Sequence, residues 1–465
     1  MRRSHKAFLV LVATALAVMA SSVTAAASPG SETGTIDGAN FLIQMPATWN
    51  GTLVLYSHGY VVPGNPLTAV DVGDPATGAW LLANGYAIAG SSYSVNGWAV
   101  QAALHDQIAL LDHFTDEHGK PLRTIAWGHS LGGMITAGLI QRNPERFAGA
   151  IPMCGVVAGG VGVWNQGLDA EFVFKTLAPE PAAAGLQLVN ITNTGFQTGS
   201  NFQLAEFVAA QEQATPQGRA RLALVAAIGD TPGWFSRTSA EPAPDDFAAR
   251  ELNQYRWDSQ VDFPFLFALR ADLETHAGGN PSWNAGVDYR TQLNESINKD
   301  EVEALYGQAG LDLQADLDKL AAAPRISAQR NALEYLSRFI TYNGVIESPV
   351  LTMHTTGDGL VLPQDEQAYS SVIASRDNSD LLRQTFVHRA GHCTFTPGET
   401  VTAFQTLIHR LNTGSWGTTT QPSAMNAAAA ALGAAFNPAG PSFIQFQPSV
   451  FMRPFDAHNR GEGFG

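Results

Sequence analysis

Cysteine is nearly missing from this chain: its 465 residues include two, Cys154 and Cys393. That excludes a cysteine-rich zinc module and a disulfide-dense miniature fold. Charge is also scarce, at 14% of residues, and it leans one way, with 41 acids against 26 bases for a formal net charge of −15. Binding a polyanion needs a clustered basic surface, and no Lys/Arg cluster follows the N-terminus, so nucleic acid is not an expected partner. The 12 histidines include no H-E-x-x-H, and His388 and His392 fall where a strand runs out into a loop. No metal and no cofactor is expected. Long apolar runs are confined to the N-terminus, where Arg2, Arg3 and Lys6 precede apolar residues 7–20 and the small residues Ala25-Ala26-Ala27. Residues 1–27 therefore read as a secretory signal peptide, too short for a membrane span, and the expected location is secreted, extracellular or periplasmic.

What is present is ample apolar sequence, 45% of residues, with 45 glycines and 25 prolines as turn formers. Short apolar runs at 41–46, 51–57, 86–90, 123–128 and 148–154 alternate with helical spacing at 79–84, 99–114 and 131–142. This rhythm means a mostly parallel sheet with helices on its faces. It stops near residue 156 and returns at 348, with strands at 348–354 and 381–388 and helices at 365–374 and 401–411. Residues 28–155 and 348–411 are thus expected to form one α/β core, and residues 156–347 a mainly helical insertion with helices near 168–177, 217–228, 300–306 and 326–342. Residues 412–465 read as a linker, an alanine-rich helix and an added edge strand near 443–446.

A serine hydroxyl is a weak nucleophile and needs both exposure and a neighbouring base. Gly128-His129-Ser130-Leu131-Gly132-Gly133 sets Ser130 in a G-x-S-x-G motif between an apolar strand and an apolar helix, the strand–turn–helix context of a nucleophile elbow. Two later strand ends supply partners. Asp358 follows Gly357, with Asp365 as the alternative acid, and His392 follows Gly391, with His388 as the alternative base. For the oxyanion, two N–H groups are expected, those of Leu131 at the helix start and of Tyr60 in the turn His58-Gly59-Tyr60. His58 reads as a hydrogen-bonded loop residue.

Together these residues resemble the α/β-hydrolase family. The resemblance implies an eight-stranded, mostly parallel sheet and a catalytic triad of Ser130, Asp358 and His392. The layout is similar to secreted esterases of the tannase and feruloyl-esterase kind, which carry a large lid before the acid and a cysteine directly after the catalytic histidine, as in His392-Cys393. It departs at the nucleophile, where His129 stands in place of that group's cysteine. The expectation is a carboxylic-ester hydrolase acting on a small-molecule or polymeric ester. The alternative is an aminopeptidase-like serine peptidase, for which Glu171, Asp272 and Glu274 are available to hold a free amine. Trp164, Trp234, Phe235, Trp283 and the aromatic run 263–267 read either as the insertion's own core or as an aromatic wall for the substrate. Cys154 ends the strand after the nucleophile helix and Cys393 follows His392, so triad geometry brings both to one edge of the sheet. A disulfide is predicted there, with two buried thiols as the alternative.

Overall fold

A computed structural model describes residues 30–179 and 181–453. The expected signal peptide lies outside the described residues, as do residues 454–465. Among the described residues, nine strands form one sheet in the order β1-β2-β4-β3-β5-β6-β7-β8-β9. They are β1 (Ser31–Ile36), β2 (Ala39–Gln44), β3 (Thr52–Ser57), β4 (Ala87–Ser91), β5 (Arg123–His129), β6 (Gly149–Met153), β7 (Val350–Gly357), β8 (Leu382–Ala390) and β9 (Phe443–Ile444). From β4 to β8 all neighbours are parallel, while β1, β2 and β9 add antiparallel margins. The count is nine where the resemblance implied eight. The strand that went unread is β1, whose sequence SETGTI has one large apolar residue and stays largely accessible. Its pairing with β2, not a hydrophobic run, makes it a strand.

The helices of the first half are α1 (Pro75–Ala83), α2 (Val100–His118) and α3 (Leu131–Arg142). Between β6 and β7 the chain forms α4 (Gly159–Leu177), α5 (Asn201–Gln213), α6 (Pro216–Gly229), α7 (Phe247–Trp257), α8 (Arg270–Ala277), α9 (Tyr289–Glu295), α10 (Lys299–Ala309), α11 (Leu313–Ala322) and α12 (Arg330–Arg338). Two π-helical turns, Asp258–Asp262 and Phe265–Leu269, join α7 to α8. The second half adds α13 (Gln364–Ala374), α14 (Pro397–Thr413) and α15 (Pro422–Ala431).

The central strands are buried on both faces, so they read as continuous apolar runs. Their period of two still sorts the side chains. Leu53, Leu55 and Ala126 pack with Leu110 and Ile135 on one face, while Val54, Tyr56 and Trp127 pack with Leu81, Phe404 and Leu407 on the other. The inserted helices have a core of their own, with Leu168, Phe174, Val208, Leu224, Phe267 and Leu320 fully or nearly fully buried in it. Two helices start earlier than the apolar spacing shows. α4 begins at Gly159 because its glycine-rich first turns pack tightly, and a Cβ on Gly160 would lie 2.9 Å from the Trp98 ring. α14 begins at Pro397 because Thr396 and Glu399 form a reciprocal capping box.

Candidate active site

Ser130 joins β5 to α3 with φ 59°, a positive value that costs a non-glycine residue strain and persists only where the surroundings impose it. They do so here. The Ser130 N–H donates to the Met153 carbonyl at 3.0 Å, tying the turn to the end of β6. A Cβ on Gly132 would collide with the carbonyl oxygens of Ser57 and His58, so the helix can start this close to β3 only with glycine at that position. The turn 58–60 passes directly over the serine, and a Cβ on Gly59 would sit 3.3 Å from the Ser130 Cβ. That places Tyr60 beside Ser130 on the wall of one cavity, together with Leu131. Leu131 is the first residue of α3, where an N–H lacks an intrahelical acceptor.

Asp358 follows β7 and His392 follows β8, so both stand at the carboxyl edge of the sheet with Ser130. His392 Nδ1 donates to Asp358 Oδ2 at 2.7 Å, and Asp358 Oδ1 accepts the N–H groups of Leu360 and Val361 at 3.1 Å each. A carboxylate only accepts, so this bond holds the proton on Nδ1 and leaves Nε2 with its lone pair. Of the alternatives, Asp365 lies buried in α13, where its carboxylate accepts the Ala158 N–H at 3.4 Å. His388 is exposed on β8, 3.3 Å from Glu241 and 3.4 Å from Thr356. Neither is paired with the other candidate residues.

Cys154 and Cys393 form a disulfide with Cα atoms 5.4 Å apart. It links the end of β6 to the histidine loop, and Cys393 Sγ lies 3.4 Å from His392 Nε2. Cys154, His392 and Cys393 come within 4.8 Å of one another, but a disulfide offers a metal no thiolate. The loop is further braced by Arg389, which pairs with Glu399 at 2.7 and 3.1 Å and also donates to the Thr394 carbonyl at 2.8 Å. His129 is half-buried, with Nδ1 3.1 Å from the Tyr56 hydroxyl. Burial first, then the nearby His392, brings its pKa down to about 4, so it stays neutral. His58 donates from Nδ1 to the Gly59 carbonyl at 2.7 Å and stacks on Tyr93, consistent with a loop-bracing role.

One buried histidine went unread in the sequence. His354 lies inside β7 with Nδ1 3.1 Å from Glu366 Oε1, and with Nε2 2.9 Å from the Val361 carbonyl and 3.7 Å from Asp358 Oδ2. Glu366 also accepts from Thr352 at 2.5 Å and from Gln384 at 2.6 Å. Burial alone would lower the His354 pKa, but Glu366 and then Asp358 outweigh it and lift the value to about 9. An imidazolium therefore sits behind Asp358. A histidine in the middle of an apolar strand carries no pattern that reveals this; the partners on α13 decide it.

The cavity over Ser130 has an empty volume of about 860 Å³ including solvent at its mouth. The core contributes Tyr60, Trp98, Leu131 and residues 359–361, and the segment between β6 and β7 contributes Trp164, Val225, Phe263, Phe265 and Leu266. Trp164 and Phe263 belong to the buried clusters and also line the cavity, Phe265 lines it, Trp283 and Phe267 are core residues, Trp234 packs against His388, and Phe235 packs on Trp257. Of the three acids singled out in the sequence, Asp272 and Glu274 are bonded away from the cavity, while among the described residues neither carboxylate oxygen of Glu171 has a hydrogen-bond partner. Asp272 accepts the Trp98 N–H at 2.7 Å, and Glu274 accepts from Asn190, Ile191 and Arg270. Glu171 is buried off the cavity wall, and burial holds its pKa well above the usual carboxylate range.

The fold and this carboxyl-edge arrangement define a serine hydrolase of the α/β-hydrolase class. The prolyl oligopeptidase family model matches residues 92–159, the stretch that contains Ser130. An o-phthalyl amidase from Xanthobacter agilis is 30% identical over 422 residues, covering 85% of this chain and 90% of that protein. The chain belongs to the same serine-hydrolase family as that amidase. Similar solved structures include an esterase from Aspergillus oryzae, at 12% identity and a TM-score of 0.43 over 83% of this chain and 79% of the other. Feruloyl esterase B from Aspergillus oryzae is similar at 11% identity and a TM-score of 0.39, over 82% of this chain and 80% of the other.

Proposed function

We propose that this chain hydrolyses a carboxylic ester through an acyl-enzyme on Ser130, with His392 as base and acid and Asp358 as the group that orients it. The observation that carries the reading is the 2.7 Å bond from His392 to Asp358 at the same sheet edge as a strained, cavity-facing serine. Ser130 Oγ attacks the carbonyl carbon while its proton passes to His392 Nε2. The N–H groups of Leu131 and Tyr60 receive the negative oxygen, and Asp358 stabilises the imidazolium. Collapse returns the proton to the leaving alcohol, and water repeats the cycle on the acyl-enzyme. Residues 156–347 act as a lid on the core of 28–155 and 348–411, and the apolar, aromatic cavity wall favours an aromatic or apolar acyl group. Export is supported by the sequence of residues 1–27 and by the disulfide, which persists in an oxidising compartment.

Amide hydrolysis is the second reading, favoured by the amidase relative that the chain matches over 90% of its length. Both bonds use the same groups, so one assay separates the readings. The parent is expected to turn over p-nitrophenyl benzoate far faster than the matching p-nitroanilide, and rates within about tenfold would favour the amide. Ser130→Ala should lower kcat by about 10⁴-fold or more with the fold intact. Activity within about tenfold of the parent would remove Ser130 from the mechanism.

A further inference from the structure

Helix α7 ends at Trp257, and the π-helical turn that follows carries two acids, Asp258 and Asp262. Such turns recur at functional sites. This one is pressed against the loop after Asp358, because Gly359 leaves room for the Trp257 ring, which a Cβ would strike. Both acids lie on the wall of the cavity that holds Ser130. Asp258 is only 5% exposed, and its Oδ2 has no hydrogen-bond partner among the described residues. A buried carboxylate left in that state is costly unless something enters to satisfy it.

Among the described residues, the cavity lining includes no lysine, arginine or histidine. Arg270 stands behind the wall, 5.6 Å over the Trp164 ring, and is taken up by Glu274 and Asn280. The rest of the wall includes the rings of Tyr60, Trp98, Trp164, Phe263 and Phe265. Aromatic faces attract cations, most strongly when water is excluded. A buried acid and a half-buried one beside aromatic rings, with no basic side chain among the described lining residues, make an environment for an ammonium group.

We propose that Asp258 and Asp262 form a subsite for a cationic amine carried by the substrate of Ser130. This rests on the hydrolase reading and narrows its substrate class to amine-bearing esters or amides. Burial, and then Glu251, raises the Asp258 pKa to about 8. Burial, then Asp258 and Asp358, raises that of Asp262 well above the carboxylate range. Asp258 therefore holds a proton at neutral pH when no cation is beside it, and an arriving ammonium is what lets its carboxylate form.

The test is calorimetric binding of benzylammonium chloride, benzyl alcohol and sodium phenylacetate to the full chain. Benzylammonium is expected to bind at least about tenfold more tightly than benzyl alcohol, and phenylacetate more weakly than either. Asp258→Asn and Asp262→Asn should each remove most of the benzylammonium preference, with melting temperatures equal to or above the parent's to show intact folding. Equal affinities, absence of binding, a preference for phenylacetate, or a benzylammonium preference that survives both variants would overturn the subsite. Binding needs no turnover, so failure of the hydrolase reading would show separately, in the Ser130→Ala ester assay.

Discussion

At the residue scale, the contest between Asp358 and Asp365 can be decided by charge-removing substitutions. Asp358 bonds the imidazole of His392, whereas Asp365 bonds a backbone N–H in α13's setting and has a pKa lifted to about 7, mainly by burial. Asp358→Asn is expected to reduce kcat by roughly 10⁴-fold, because the amide favours the wrong imidazole tautomer. Asp365→Asn replaces a buried acid with a neutral isostere and should leave kcat within about threefold of the parent. Steady-state kinetics on one ester substrate checks both, and the reverse ranking would move the acid role to Asp365. Both acids and Glu366 act on the His354 imidazole, and what separates Asp358 from Asp365 is its 2.7 Å bond to His392.

At the scale of elements, the histidine loop between β8 and α14 is held from three sides. Arg389 and Glu399 clamp its stem, the Thr396 capping box starts the helix behind it, and the Cys154–Cys393 bridge ties it to β6. The bridge spans 239 residues of sequence, for which chain entropy gives at most about 5 kcal/mol of stabilisation. The double variant Cys154→Ala with Cys393→Ala should therefore unfold at a lower denaturant concentration. Its kcat should fall as well, since the bridge anchors the residue next to His392. Under reducing agent the parent should lose rate before it loses its far-ultraviolet circular dichroism. Loss of both together would mean that the bridge supports the whole sheet and not the loop.

At the scale of the whole molecule, the pattern of buried ionisable groups sets a direction for stability against pH. Folding raises the pKa of Asp230, Glu251, Glu301 and Asp365 to about 7, mainly through burial, that of Asp258 to about 8, and that of His354 to about 9. A group with a raised folded pKa gives stability that is complete below its unfolded value and is lost as pH climbs through the folded one. His129 works oppositely: lowered to about 4, its contribution is present above about 6.5 and lost on acidification. Between pH 6.5 and 9 the carboxyl groups at about 7 finish losing their contribution, and Asp258 and His354 carry the loss on to about 9. The melting temperature is therefore expected to fall steadily across that window, and differential scanning fluorimetry in matched-salt buffers measures it. A flat or rising profile would mean that Asp258 and His354 are not held protonated in the folded protein.

The linear order of residues by itself determined the strand–helix rhythm on both sides of residue 156, the elbow around Ser130, and the placing of Asp358 and His392 just past strand ends. These are local signals, a period of two or 3.6 and glycines at a sharp turn, and local sterics reads them without help from distant chain. The pairing of Cys154 with Cys393 was also legible, because it follows from which strand ends must meet. What only the tertiary structure decided depends on neighbours far apart in sequence. β1 is a strand through its partner, and α4 starts early because Trp98 packs against its glycines. His354 is charged because of Glu366 and Asp358. The same holds for the acids of the cavity. Glu171, Asp272 and Glu274 are acids just as Asp258 and Asp262 are, and nothing local in the sequence marks which pair faces the cavity. Burial and orientation select them, and both are properties of the packed whole.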